Sequence, residues 1–310
     1  MRRAADMSAA APVCPPRIAP ARVAAADGRP YFIASDVVLD GQRLRDRNGF
    51  VTALGVRALR RAGLPVPAAM LDALQQCRSA RGGFRFWPER AHPDWAPRLP
   101  DDADDTAIML LELLHEGRIS RADAHRTACL AIARRRIAQL PLLRPPWLRI
   151  GVFATWSRDG IRRDLVDCTA TANVLALFAQ LRLAHLPGVR EAADMLAAAL
   201  RWAGDDELRA ASLSPFYPDP AEFVLALEHA AECGAAAADE LHRLAAATAW
   251  GRDAPARSER PDHAVCGSPY GMAAWRSPEL ARLRAWARRS GAIRHRDPQG
   301  ELDEQIMAMA

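Results

Sequence analysis

One junction between a loop and a helix organises this chain. It reads Pro100-Asp-Asp-Ala-Asp-Asp-Thr-Ala107 and continues as Ile108-Met-Leu-Leu-Glu-Leu-Leu114. Four carboxylates fall within positions 101–105, and such like charges repel unless protons, cations or hydrogen-bond donors offset the repulsion. One aspartate is enough to cap a helix, and the helix dipole favours an acidic first turn. Four acids exceed that need, which indicates a chemical role.

The composition predicts a helical protein. The 310 residues are enough for one large domain or two modest ones, half of them are apolar, and alanine and leucine dominate. Valine, isoleucine and threonine are too sparse for an extensive sheet. The basic residues are all arginine, and the net charge of +5 is modest for this length. With no dense basic block, nucleic acid is disfavoured as a partner.

The cysteines and the chain ends predict a cytoplasmic protein. The six cysteines lie far apart without a CxxC pair, so neither a zinc cage nor a disulfide scaffold is indicated and a reducing compartment fits best. No apolar run reaches the roughly 18 residues that span a bilayer. Residues 1–30 are rich in Ala, Pro and Arg and are predicted to form a flexible arm, and residues 296–310 to form a polar tail.

Between these ends, apolar residues recur at helical spacing. The predicted helices cover residues 48–62, 67–78, 101–115, 120–140, 166–185, 189–202, 220–232, 236–249 and 278–289. They pair into hairpins at intervals of roughly 50 residues, within the range of repeat architectures. Residues 31–44 are ambiguous, with a short helix as one interpretation. We expect residues 31–295 to form a single all-α domain, an α/α toroid of helical hairpins, with an open solenoid as the alternative.

The acidic junction resembles a known signature. Residues 102–107 resemble the DxDD-T-A motif of class II terpene cyclases, the squalene–hopene and copalyl diphosphate synthase type. The preceding Gly82-Gly-Phe-Arg-Phe-Trp87 is similar to the Gly- and Trp-containing turns of that superfamily, which are shared with protein prenyltransferase β-subunits. In that family the motif begins an inner helix of a toroid. The resemblance is strong over residues 80–116 and architectural elsewhere.

The resemblance implies proton-initiated cyclisation of a linear isoprenoid, either a prenyl diphosphate or a prenylated small molecule. Asp104, the middle aspartate, would be the general acid, and Asp102 and Asp105 would tune the proton that the cluster shares. At least one carboxyl group must then stay protonated near neutrality, as in coupled carboxyl groups with raised pKa values. The N-terminus of a helix favours the anion instead, and the sequence leaves that balance open.

The cations that follow protonation need a dry cavity lined by aromatic faces. The candidates are aromatic residues on the loops between hairpins: Phe86, Trp87, Phe153, Trp156, Phe216, Tyr217 and Tyr270. Each of them equally fits ordinary core packing. Asp167 and Asn173 are polar residues in an otherwise apolar helix, where they would line the cavity and hold a water or Asp104. A helix cap and a satisfied core amide are the alternatives.

The length departs from the family pattern, because class II cyclases usually pair this domain with a second one. We therefore expect a substrate shorter than squalene and a cavity closed by the long loops, by a partner or by a homodimer. Protonation requires no cofactor, although Mg²⁺ would help to hold a diphosphate. A lipophilic substrate would also favour peripheral contact with a membrane.

Three other interpretations stay open. Asp101, Asp102 and Asp105 also form a DDxxD string, which resembles the magnesium-binding motif of class I terpene synthases, although a second metal motif is missing. Asp167, Cys168 and His263 supply the residue types of a prenyltransferase zinc site, at the wrong spacing. The third is an isoprenoid- or peptide-binding protein without catalysis.

Overall fold

The computed structural model describes residues 29–156 and 166–296. Residues 1–28 of the predicted arm, 297–310 of the predicted tail and the segment 157–165 lie outside this range. The α-helices are α1 (Gly49–Arg61), α2 (Ala68–Gln76), α3 (Ala103–His115), α4 (Arg121–Thr127), α5 (Cys168–Gln180), α6 (Val189–Ala203), α7 (Glu207–Ala211), α8 (Ala221–Glu232), α9 (Ala238–Ala247), α10 (Ala254–Arg257) and α11 (Pro278–Arg296). None of these helices is long and apolar enough to cross a bilayer.

The prediction of an all-α toroid is wrong, because the chain also forms an antiparallel sheet. Its strands are β1 (Ala34–Leu39), β2 (Gln42–Arg47), β3 (Ala264–Gly267) and β4 (Ala273–Arg276), in the order β2-β1-β4-β3. Val37 of β1 lies opposite Trp275 of β4, so the sheet joins the two ends of the described chain. The fold is therefore mixed, with helices and a four-stranded sheet.

A tight turn explains why residues 31–44 form strands and not a helix. The apolar run that ends at Leu39 is followed by Asp40 and Gly41, which adopt φ angles of 48° and 77°. Asp-Gly in the left-handed region reverses a chain between two antiparallel strands. Residues 264–267 and 273–276, predicted as loop, become strands β3 and β4, because β4 pairs with β1 and β3 pairs with β4.

Most predicted helices form close to their expected bounds. Helices α1, α3, α5 and α8 lie side by side, with α2, α6 and α9 packed outside them and α11 against α1. The helix predicted over 120–140 is wrong in its second half, because α4 ends at Thr127 and a π-helical turn follows over Ala128–Ala133. Beyond the turn the chain pairs with a neighbouring loop, where the Ile137 N–H donates to the Val152 carbonyl across 2.8 Å.

Helices α3 and α5 form the centre of the molecule. Every residue from Ala103 to Leu113 in α3 and from Cys168 to Phe178 in α5 is buried. A helix that is buried on all sides belongs to the core. Its polar side chains must therefore find partners within the protein, and these side chains make up the candidate site.

Candidate functional site

The acidic junction is fixed between two loops. The Asp102 N–H donates to the Phe84 carbonyl across 3.3 Å, and the Ala103 N–H donates to the Thr155 carbonyl across 2.8 Å. In return, the Thr106 hydroxyl accepts the Phe84 N–H across 3.0 Å. The glycine–aromatic turn and the loop before residue 157 therefore hold the first turn of α3 in place. The threonine of the motif has a structural role in this arrangement.

Asp101 belongs to the turn and is not part of the acidic cluster. Its carboxylate accepts a hydrogen bond from the Ser79 hydroxyl at 3.1 Å. A β-carbon on Gly83 would lie 2.5 Å from Asp101 Oδ2, so only glycine lets the turn pack this closely. The DDxxD interpretation needs Asp101 to converge with Asp102 on one metal ion. In the described residues, no group of three His, Cys, Asp or Glu side chains is placed to hold a metal.

Asp104 is the most fully bonded acid of the cluster. Its Oδ1 accepts a hydrogen bond from the Asn173 side-chain amide at 2.9 Å, and its Oδ2 accepts one from the Tyr217 hydroxyl. Asn173 comes from α5, and Tyr217 from the loop before α8. Three of the predicted site residues are thus brought together from segments far apart in the sequence.

Burial raises the pKa of the three motif acids. The pKa of Asp104 rises to about 6, because burial outweighs the hydrogen bonds from Tyr217 and Asn173 and the positive charge of Arg57. Burial and the neighbouring carboxylates raise the pKa of Asp102 and of Asp105 well above the usual range. Desolvation therefore outweighs the helix dipole.

The hydrogen bonding of Asp102 and Asp105 explains how these two acids can lie so close together. Asp102 caps α3, with its Oδ1 accepting the Asp105 N–H at 2.7 Å. Asp105 Oδ2 is buried and has no hydrogen-bond partner in the described part of the chain. An ionised oxygen without a donor would be costly at this position, which favours the neutral, protonated acid at Asp105.

Asp167 adds a fourth acid next to this cluster. It caps α5, accepting the Ala170 N–H at 3.0 Å on Oδ1 and the Phe216 N–H at 3.1 Å on Oδ2. Burial and the charge of Asp104 raise its pKa to about 7. Asp167 therefore both caps α5 and interacts electrostatically with Asp104.

A chain of hydrogen bonds behind Asn173 was not predicted from the sequence. Arg57 Nη1 donates to Asn173 Oδ1 across 3.1 Å, and Arg57 Nε donates to Glu112 Oε1 across 3.0 Å. This contact makes the amide nitrogen of Asn173 the group that faces Asp104. Burial alone would raise the pKa of Glu112, but Arg57 and Arg60 hold it below its usual range. The available signal was Arg57 itself, an arginine on an otherwise apolar face of α1.

A cavity of about 400 Å³ lies between α1, α5, α8, α10 and α11. The apolar part of its wall is formed by Leu54, Ala58, Ala62, Leu225, Ala226, Pro255 and Ala287. Asn173 and Tyr217, the two donors to Asp104, also line it, together with Thr169 and Glu222. These four residues are buried and form the inner end of the cavity.

Glu222 is held as an anion at this inner end. Arg284 donates to both of its carboxylate oxygens, at 2.6 and 2.9 Å, and His263 Nε2 lies 2.7 Å from Oε1. Burial would raise the pKa of Glu222, but the charges of Arg284 and His263 lower it to about 2. His263 also contacts Asp219 through Nδ1 at 3.2 Å. It thus contacts carboxylates, and no zinc site with Asp167 and Cys168 is formed.

Of the predicted aromatic residues, Tyr217 lines the cavity. Phe86 is connected to the cavity through Phe50 and Tyr217. The rings of Phe86 and Phe50 stack with their centroids 5.8 Å apart, and the Phe50 ring meets the Tyr217 ring edge-on at 5.9 Å. Trp156 packs edge-on against Phe216 at 5.5 Å. The backbones of these two residues contact the acids, since Trp156 bridges to Asp102 and Phe216 donates to Asp167.

The other aromatic candidates have different surroundings. Trp87 donates its indole N–H to Asp46 across 2.9 Å, and Phe153 packs against Phe178 in the core. Tyr270 lies in the turn Pro269–Gly271, and its side chain is outside the described part. Trp87 and Phe153 are therefore core residues and do not line the cavity. The sequence could not distinguish core aromatics from cavity aromatics, because both sets lie on loops.

Comparison with known proteins does not assign the chain to a family. No protein-family model and no curated protein matches the sequence.

Proposed function

We propose that the chain is an acid-initiated cyclase of the class II type, which uses Asp104 to protonate a short linear isoprenoid. The proposal depends on one observation above all: Asp104 is buried, its pKa is raised to about 6, and both of its hydrogen-bond donors line a cavity. A carboxylic acid with a pKa near the working pH is suited to general acid catalysis. The DxDD resemblance gives the substrate class.

In the proposed reaction the Asp104 carboxyl group gives its proton to the terminal alkene carbon of the substrate. A neighbouring double bond then attacks the new cation, which closes the ring. The last cation loses a proton or takes up water, and the Asp104 carboxylate regains a proton from the surrounding acids. Asp167 is suited to that resupply, because its pKa is raised to about 7 and it interacts electrostatically with Asp104.

The cavity supports a short substrate. Its volume of about 400 Å³ lies at the lower end of the ~300–1,000 Å³ typical of ligand pockets. Tyr217 offers an aromatic face there, and the apolar wall from α1 and α8 suits an isoprenoid chain. The charged groups that line the cavity are paired, as in the Arg61–Glu228 contact at 2.9 Å and the Arg288–Glu259 contact at 2.5 Å. Paired charges leave the pocket without a strong net field.

The cysteines favour a cytoplasmic setting for this reaction. Five cysteines of the described chain are free thiols, as expected in a reducing compartment. Protonation requires no metal. Mg²⁺ enters the proposal only as a counter-ion for a substrate that carries a diphosphate.

Product analysis tests the proposal. Purified protein is incubated with geranyl, farnesyl and geranylgeranyl diphosphate and with squalene, with and without Mg²⁺, and the products are separated by gas chromatography and identified by mass spectrometry. We expect a cyclic product that keeps its diphosphate, made by the wild type and reduced at least about a thousandfold in Asp104→Asn.

The control is Asp101→Asn, which makes the same chemical change three residues earlier, at a carboxylate bonded to Ser79. Its turnover should stay close to that of the wild type. Release of pyrophosphate that depends on Mg²⁺ would contradict the proposal in favour of class I chemistry. Equal turnover in Asp104→Asn and the wild type would remove Asp104 as the acid.

A further inference from the structure

Two adjacent leucines are the most exposed large apolar side chains of the described residues. Leu142 and Leu143, in the loop 138–150, are 94% and 91% exposed. Ile150 at the end of the same loop is also more than half exposed. Single exposed leucines are common, but a group of them on one projection usually marks a surface that binds something.

This loop is anchored at its base. Gly151 donates its N–H to the Ile137 carbonyl across 2.8 Å, and Ile137 donates to Val152 across 2.8 Å, which closes the loop. Trp147 and Leu148 are buried under it. The loop thus buries two of its large apolar residues and exposes two others at its tip. Trp147 and Leu148 therefore supply the contacts of the loop with the core, and Leu142 and Leu143 are not needed for them.

The charged residues in the chain segment that carries the exposed leucines have a single sign. Residues 124–156 contain six arginines and no aspartate or glutamate. Five of the arginines are exposed; Arg126 pairs with Asp123, and the other four are Arg134, Arg136, Arg144 and Arg149. Across the part of the chain that the structure describes, none of these four forms an ion pair with a carboxylate. Arginines that are paired with carboxylates have little net charge to attract a ligand. These four arginines leave a positive charge on the surface, which attracts anions.

We propose that loop 138–150 binds the surface of an anionic lipid bilayer. Leu142 and Leu143 would enter the boundary between head groups and acyl chains, and the four arginines would bind lipid phosphates around them. Peripheral proteins combine these two signals, because apolar insertion or charge alone gives weak attachment. The proposal does not depend on the cyclase assignment, although a bilayer is also where a lipophilic substrate would be dissolved.

Two other partners fit the loop less well. A nucleic acid would use the arginines but would leave the leucines exposed. A second copy of this chain would have to cover four arginines with acidic residues. The next most exposed leucine of the described residues, Leu208, follows Asp205-Asp-Glu207. One leucine offers too little apolar surface to cover Leu142 and Leu143. We therefore favour a membrane as the partner of the loop.

Vesicle co-sedimentation of the full chain tests the proposal. The probes are phosphatidylcholine vesicles and phosphatidylcholine vesicles that contain about 30% phosphatidylglycerol. We expect binding to the anionic vesicles at least about tenfold tighter than to the neutral ones, weakening as salt rises. The double variant Leu142→Glu/Leu143→Glu should lose at least about tenfold in affinity for anionic vesicles.

Matched variants isolate the two parts of the surface. Leu208→Glu makes the same change at a leucine that is 85% exposed elsewhere and should leave binding unchanged. Arg144→Gln/Arg149→Gln should weaken binding to anionic vesicles, whereas Arg243→Gln/Arg252→Gln, at exposed arginines outside the loop, should not. Circular dichroism confirms that every variant is folded.

Four outcomes would overturn the proposal. The first is no binding to either vesicle. The second is equal binding to neutral and anionic vesicles. The third is binding to a DNA or RNA oligonucleotide but not to vesicles. The fourth is a concentration-dependent dimer that the leucine double variant abolishes, because the loop would then be an interface between copies of the chain.

Discussion

The Asn173 side chain on α5 donates a hydrogen bond to Asp104 on α3 across 2.9 Å, and its orientation is set by Arg57. An amide has one donor end and one acceptor end. Because Arg57 occupies the acceptor end, the donor end must face the carboxyl group of Asp104. Arg57 is thus a positioning residue that acts on the proposed acid through Asn173.

This relationship predicts different behaviour for two arginines that share Glu112. Arg57→Gln should lower turnover by about tenfold to a hundredfold, because Asn173 loses its fixed orientation. It should also move the pH dependence to higher pH, since the positive charge that lowers the pKa of Asp104 is gone. Arg60→Gln removes a similar contact to Glu112, at 2.8 Å, without touching Asn173. Its pH profile should match that of the wild type, and a common shift in both variants would contradict the positioning role.

Removing the Tyr217 hydroxyl tests the tuning of Asp104 from the other side. The hydrogen bond from Tyr217 stabilises the carboxylate and so lowers the pKa of Asp104. In Tyr217→Phe the Asp104 carboxyl group should stay protonated to higher pH, so the fall of kcat/KM with rising pH should begin later than in the wild type. A profile that falls at the same pH would show that Tyr217 does not tune the acid.

The raised pKa of Asp104 has a consequence for stability. Its folded value of about 6 exceeds the ordinary value of 3.8, so the folded state binds more protons between these two pH values. The stability from this group is fully present below about pH 4 and is lost as the pH rises through about 6. Asp104→Asn keeps a neutral side chain at every pH, and Tyr217 can accept a hydrogen bond from the new amide.

Denaturant unfolding measures this effect. Asp104→Asn should be more stable than the wild type by up to about 3 kcal/mol at pH 8, and the gain should shrink towards pH 4. Asp101→Asn, whose carboxylate accepts from Ser79, is the control. A wild type that is the more stable of the two at pH 8 would contradict the raised pKa. A gain in stability together with a loss of turnover is the usual trade-off at a functional site.

The sheet makes its own prediction at Asp46. This buried carboxylate accepts the indole N–H groups of Trp87 and Trp275, at 2.9 and 2.7 Å, and the Asn48 amide at 2.8 Å. Asp46→Asn would turn one acceptor into a donor facing a donor, so we expect a loss of about 2–4 kcal/mol in the free energy of unfolding. Asp36→Asn, at the surface pair with Arg45, should cost less than about 1 kcal/mol. Equal losses would show that β2 and β4 are not joined as described.

The sequence was sufficient for most helices but not for the sheet. Long apolar periods predicted α3 and α5 within a few residues, whereas the strands have only four to six residues, and β1 pairs with β4 from the far end of the described chain, as in the Val37–Trp275 pair. Strand β2 reads Gln-Arg-Leu-Arg-Asp-Arg, which is too polar to indicate a strand by itself. The Asp40-Gly41 turn after Leu39 was the signal that could have revealed the hairpin.

The same contrast holds for the site. Asp104 was predictable because its neighbours in the sequence form a motif, and Asn173 because a polar residue interrupts an apolar helix. Arg57, Glu112 and Glu222 were not, since their roles come from packing between helices that are distant in the chain. The aromatic residues divide between core and cavity according to packing, which their positions on loops do not reveal.

The most direct test of the central claim is to run the reaction in D₂O and determine deuterium in the product by mass spectrometry. The Asp104 proton exchanges with solvent, so the account predicts a cyclic product with one deuterium at the carbon that was protonated, formed by the wild type and by Asp101→Asn but not by Asp104→Asn. A cyclic product without deuterium, or one that Asp104→Asn makes at the wild-type rate, would contradict the account.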